Sequence, residues 1–115
     1  MSTIYTQGVQ TGEFLVSEGQ GRISREPIIV EAGDALPAGQ ILGTLGTGKY
    51  APYDNAANTG AEVASAILYG PLAASAADRP AVAIVRLAEV AEALLTGFDA
   101  GARNDLAEQF VIVRQ

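Results

Sequence analysis

Short apolar runs alternate with turns that contain glycine, proline or aspartate along most of the chain. The runs are rich in Ile, Val, Leu and Tyr, which favour extended backbone, and turn residues bound each of them. They predict strands at residues 14–16, 23–30, 40–45, 49–53, 61–69, 81–86 and 110–114. Thr47 and Gly48 separate two of these runs, which indicates a hairpin.

The apolar spacing changes after Leu87. Apolar residues at three- and four-residue intervals predict a short amphipathic helix over residues 88–95, on Val90, Ala91, Leu94 and Leu95. Asp99 suits the N-cap of a second helix over residues 100–109, which would place Leu106 and Phe110 on one face. We therefore expect one mainly β (α+β) domain at residues 14–115, with one or two short C-terminal helices. Residues 1–13 are polar and predict a flexible N-terminal arm.

Composition limits both the core and the partners. Of the 115 residues, 49% are hydrophobic but only 6% are aromatic. Much of the apolar fraction is alanine, so the core is small and burial against another subunit would add stability. The net charge of −6 disfavours nucleic-acid binding. No apolar run is long enough to span a bilayer and no export signal is visible, so we expect a soluble protein made inside a cell.

Histidine and cysteine are both absent. This excludes the commonest general base and all thiolate chemistry, and it leaves Ser17 and Ser24 without a histidine to activate them. Carboxylates are the remaining acid–base candidates. Glu89 and Glu92 are three residues apart and would share one face of the first predicted helix. A solvated polar face explains this spacing better, because apolar residues occupy the other face.

Three further groups each have a structural explanation that we favour. A polar loop offers oxygen ligands for Ca²⁺ at Asp54, Asn55, Asn58 and Glu62, but its spacing fits turn chemistry better than an EF-hand. The glycine-rich string GTLGTG contains Gly43, Gly46 and Gly48, and it predicts a flexible hairpin and no dinucleotide site. Tyr50 and Tyr53 suit packing in the core or at a subunit interface better than a ligand platform. We therefore expect no metal and no cofactor.

Five strings in order resemble the lambda-type bacteriophage head decoration proteins. They are FLVSEGQGRISREPIIV (14–30), LPAGQILG (36–43), GKYAPYD (48–54), AILY (66–69) and AVAIVRLAEV (81–90). Each string alone is weak evidence for the family, but five strings in the same order and with similar gaps are specific for it. The resemblance extends over residues 13–114.

The resemblance implies a β-clip or β-tulip module and a structural role without catalysis. Proteins of this kind bind as homotrimers to the major capsid protein, at local threefold positions on the outside of the expanded head. They stabilise the shell against packaged DNA. The expected location is the virion surface, after synthesis in the host bacterial cytoplasm.

The resemblance also implies that the N-terminal arm engages the shell. We expect its contacts at Ile4, Tyr5, Thr6 and Val9. Candidate trimer contacts are Tyr50, Leu72 and Leu87, because they flank strands without an obvious core period.

Two alternatives remain open from the residues themselves. A generic β-clip binding module would need polar groups that line a pocket. A small hydrolase that uses paired carboxylates would need an acidic residue whose pKa is raised in an apolar pocket.

Overall fold

The computed structural model describes residues 10–21 and 23–115. This part of the chain forms eight strands, one 3₁₀ turn and one α-helix. In chain order the elements are β1 (Leu15–Glu18), β2 (Arg25–Val30), β3 (Ile41–Thr44), β4 (Tyr50–Pro52), β5 (Ala64–Leu68), β6 (Arg79–Ile84), β7 (Ala88–Ala91), the 3₁₀ turn (Glu92–Leu94), α1 (Ala100–Ala107) and β8 (Val111–Arg114). The predicted mainly β fold class is confirmed.

Five strands close a barrel in the order β2-β4-β3-β5-β6. Adjacent strands of the barrel are antiparallel, with one exception. β2 and β4 run parallel, and Val30 pairs with Tyr50. β2 and β6 pair over their full length, from Arg25 opposite Ile84 to Val30 opposite Arg79. β3 and β4 form the predicted hairpin.

The remaining strands form a three-stranded sheet in the order β1-β7-β8. The central strand β7 is antiparallel to β1 and parallel to β8. Helix α1 packs against β5 of the barrel and against β8 of this sheet. The helix therefore joins the two sheets into one domain.

The predicted helix over residues 88–95 is wrong. Residues 88–91 form β7, and only Glu92–Leu94 turn, as a single 3₁₀ turn. Ala88 and Val90 are buried while Glu89 is partly exposed, which is the alternation of a strand. Pairing with neighbours on both edges stabilises β7, and this outweighs a weak local preference for helix.

The second predicted helix is confirmed at its start. Asp99 is the N-cap of α1, and its carboxylate accepts a hydrogen bond from the backbone N–H of Ala102 at 2.7 Å. The expectation that Leu106 and Phe110 share a face is wrong, because Leu106 is fully buried and Phe110 is 66% exposed. Phe110 has φ 61°, so the chain turns there from α1 into β8.

The core has two parts. One lies where the three-stranded sheet and α1 meet the barrel, and its large, fully buried members are Phe14, Ile41, Ile67, Ile84, Leu106, Val90 and Val111. The other lies among the barrel strands and contains Ile28, Val30, Leu42 and Leu68. No helix in the described ranges has the length and apolar character needed to cross a membrane.

Candidate functional site

Glu89 and Glu92 do not form a carboxylate dyad. Glu89 accepts hydrogen bonds from the Ser17 hydroxyl at 2.6 Å and the Arg114 guanidinium at 2.8 Å. Both contacts lower the pKa of the Glu89 carboxyl, and the hydrogen bond from Ser17 has the larger effect. Glu92 instead forms an ion pair with Arg103. Each carboxylate thus has its own arginine, and a lowered pKa does not suit Glu89 to act as a general acid.

The polar loop at residues 54–62 is held by turn contacts. Asp54 accepts from the backbone N–H of Ala56 at 3.0 Å, and Glu62 accepts from that of Gly60 at 2.8 Å. The Asn55 side chain donates to Asp99 at 2.8 Å. Within residues 10–21 and 23–115, no cluster of three acidic side chains is placed to hold a metal ion.

The two serines have structural partners. Ser17 donates to Glu89, and Ser24 is fully buried. The Ser24 hydroxyl accepts from the backbone N–H of Gly19 and donates to the carbonyl of Leu87, each at 2.8 Å. Ser24 therefore fixes the backbone at Leu87.

The two tyrosines are separated in the structure. Tyr53 is 8% exposed, and its hydroxyl donates to Asp99 at 2.9 Å. Burial and then this hydrogen bond raise the pKa of Tyr53 to about 12. Tyr50 is half-buried on β4. Tyr53 thus packs in the core, and the pair forms no shared ligand platform.

Three large apolar side chains lie together on the surface where β7 and β8 begin. Leu87 is 43% exposed, Phe110 66% and Ile112 42%, and all three border a cavity of about 280 Å³. We call these three residues the Phe110 surface. Leu87 and Phe110 have φ values of 54° and 61°. This left-handed conformation costs roughly 1–2 kcal/mol for a residue with a side chain.

The predicted trimer contacts divide between two places. Tyr50 and Phe110 border a second cavity of about 440 Å³, so Tyr50 and Leu87 each share a cavity with Phe110. Leu72 lies elsewhere, where its backbone pairs with that of Leu36 and its side chain packs against the barrel core.

Sequence reasoning missed Phe110 and Ile112 as surface residues. The string FVIVR predicts a strand, but its alternation does not tell which side faces the core. Val111 and Val113 are buried, which places the side chain between them outside. The available signal was the unbroken apolar run Phe110–Val113, which is too long for a strand with only one buried face.

The predicted arm contacts Ile4, Tyr5, Thr6 and Val9 lie outside the described residues. The segment that follows them is fixed beside Tyr69. The backbone N–H of Gly12 donates to the Tyr69 carbonyl at 2.9 Å. A Cβ added to Gly12 would lie 3.0 Å from the Tyr69 ring, so glycine permits this close approach.

Comparison with protein-family models decides the family. The model of bacteriophage lambda head decoration protein D matches residues 4–110. The chain belongs to this family. A search of the curated proteins finds no match.

Membership of the head decoration family confirms the resemblance in the sequence. The family consists of structural capsid proteins, so its members decorate a phage head and are located on the virion. The matched range includes β1 to β7, α1 and Phe110. For a decoration protein the candidate functional sites are surfaces that dock on protein, and the Phe110 surface is one of them.

Proposed function

We propose that this head decoration protein binds as a homotrimer at local threefold positions on the outside of the expanded head. Its partner is the major capsid protein, and its role is to stabilise the shell against the pressure of packaged DNA. The family match over residues 4–110 is the observation that carries this proposal. A ligand that binds the expanded lattice more tightly than the unexpanded one stabilises the expanded state by mass action.

The N-terminal arm, residues 1–13, makes the shell contact through Ile4, Tyr5, Thr6 and Val9. The support is its attachment point, because Gly12 fixes the base of the arm to Tyr69 on the folded domain. In a trimer three arms are held together. Weak contacts by single arms then gain avidity through effective concentration.

The trimer interface contains Tyr50 and Leu87 and is centred on Phe110. Phe110 protrudes between two cavities, of about 440 and 280 Å³. A protruding ring beside cavities on one subunit is a shape that a second copy can complement. Burial of the ring would also offset the cost of its left-handed backbone. Leu72 lies away from this surface, and its predicted contact would belong to a separate part of the interface.

No observation favours the two alternatives. In the part of the chain that the structure describes, Glu89 and Glu92 are each paired with their own arginine, so these two do not form the dyad considered for a hydrolase. A decoration role needs no cofactor, nucleic acid or membrane, and is compatible with synthesis in the host cytoplasm.

Co-sedimentation with heads tests the proposed function. The full chain and a version that lacks residues 1–12 are mixed separately with expanded and unexpanded heads. We expect saturable binding of the full chain to expanded heads alone, weakened by the truncation. Absence of binding to either form would refute the decoration role for this chain.

A further inference from the structure

The outward side of β2 and β6 is apolar at four neighbouring positions. Pro27 lies opposite Val82, and Ile29 lies opposite Pro80. Ile29 is 42% exposed and Val82 is 40% exposed, and both prolines are exposed as well. We call these four residues the β2–β6 face. It is a continuous apolar area on the outer wall of the barrel, where a polar surface is the usual arrangement.

This face is rigid and extends to Tyr69. The two proline rings fix their φ angles, and the strands pair along their whole length. Tyr69 borders a cavity of about 270 Å³ together with Pro27 and Val82. A surface that is ordered before binding loses less conformational entropy when it docks.

The charge beside the face is already paired. The Arg25 guanidinium lies 4.3 Å from the centre of the Tyr69 ring, and it forms an ion pair with Glu18 at 2.6 Å. The next residue of β2, Glu26, pairs with Arg86 at 3.1 Å. The face therefore suits an apolar protein surface better than a charged ligand.

The base of the arm adjoins this face. Gly12 is hydrogen-bonded to Tyr69, which lies at the edge of the β2–β6 face. The eight residue-to-residue steps from Gly12 back to Ile4 span at most about 29 Å when extended. Any partner held by the arm contacts must therefore lie within about that distance of the arm's base.

We propose that the β2–β6 face is a second docking surface for an apolar area of the major capsid protein, next to the base of the arm. This inference rests on the proposed function, in which the arm binds the shell. A rigid apolar contact beside a tethered arm would slow dissociation, because both contacts must be lost before the subunit leaves.

Charge substitutions on the face test the proposal in the full-length protein. Ile29→Glu and Val82→Glu each place a charge on an exposed position, and Val63→Glu is the matched control. Val63 is 51% exposed and directly precedes β5. Tyr69, at the edge of the β2–β6 face, directly follows the opposite end of β5, so Val63 is away from that face. Binding to expanded heads is measured by co-sedimentation, and the oligomeric state is measured by analytical ultracentrifugation. A variant that does not fold is replaced by Val82→Ser.

We expect both face variants to need about tenfold more protein for half-saturation of the heads, with their oligomeric state unchanged. The Val63→Glu control should bind like the wild type. Wild-type affinity in both face variants would overturn the proposal. Loss of the oligomer in the face variants would also overturn it and would assign the face to subunit contacts. Failure of the wild type to bind heads would refute the proposed function itself.

Discussion

At the scale of single residues, the guanidinium of Arg79 holds two loops against the barrel. It donates to the carbonyl of Glu31 at 2.7 and 3.2 Å, to that of Asp34 at 2.8 Å and to that of Ala73 at 2.9 Å. Arg79 is 7% exposed, so water cannot easily replace these bonds. The sequence gives no hint of this role, because an arginine at the start of a strand is usually solvated.

Replacement of Arg79 tests its role in stability. Arg79→Met keeps much of the apolar stem and leaves three carbonyls without their donor. We expect the free energy of unfolding to fall by about 3 kcal/mol in chemical denaturation. Arg86→Met removes an exposed arginine and should change it by less than about 1 kcal/mol. If Arg79→Met lowered the free energy of unfolding no more than Arg86→Met does, contacts other than those of Arg79 would hold the two loops against the barrel.

Tyr53 links stability to alkaline pH. Its pKa is about 12 in the folded protein and 10.0 in the absence of burial and charge effects. Because the folded value is the higher one, the stabilisation by the neutral phenol is complete below pH 10 and is lost as the pH rises toward 12. We expect Tyr53→Phe to be less stable by about 1 kcal/mol at pH 7, since the bond to Asp99 is lost.

The pH dependence distinguishes this effect from a general loss of packing. Denaturation measured between pH 9 and 12 should show a steeper fall in stability for the wild type than for Tyr53→Phe. Parallel curves for the two proteins would contradict the assignment of the raised pKa to Tyr53.

At the scale of elements, Gly43 allows β3 to lie close to the loop before β5. A Cβ at this position would lie 2.6 Å from the Cα of Ala61 and 2.8 Å from the carbonyl oxygen of Val63. Both neighbours are backbone atoms, which cannot rotate away. The first glycine of the GTLGTG string therefore serves strand packing.

Gly43→Ala should destabilise the barrel by roughly 2 kcal/mol, since the backbone must shift to admit the methyl group. Gly46→Ala is the control, because a Cβ at Gly46 meets nothing within 4 Å. Thermal unfolding of both variants measures the difference. A Gly43→Ala protein as stable as the control would mean that β3 and the Ala61 loop separate easily.

At the scale of the whole molecule, the Phe110 surface predicts a stability that depends on concentration. If Phe110 is buried between subunits, the unfolding midpoint of the wild type rises with protein concentration. Phe110→Gly should abolish this rise. At low concentration its midpoint should equal or exceed that of the wild type, because glycine tolerates φ 61° without strain.

Val63→Ser controls for the loss of an exposed apolar side chain. Its midpoint should keep the concentration dependence of the wild type. Retention of that dependence in Phe110→Gly would remove Phe110 from the proposed trimer interface.

The sequence predicted elements best where one local signal acts alone. The N-cap Asp99 and the hairpin at Thr47 and Gly48 were found from turn and capping chemistry, which depends on near neighbours. Residues 88–91 were misassigned because their apolar spacing fits a short helix and a strand alike. Pairing with β1 and β8, which are distant in sequence, decided between them.

The candidate sites show the same division. Composition alone excluded catalysis or metal binding by histidine and cysteine. The order of the five short strings was enough to indicate the head decoration family. The Phe110 surface and the β2–β6 face could not be predicted, since each depends on which side of a strand faces solvent. A shift of one residue in register reverses that choice. The sequence therefore determined the class of the protein and its lack of histidine and cysteine chemistry, while tertiary packing decided which apolar side chains are buried and which remain to meet a partner.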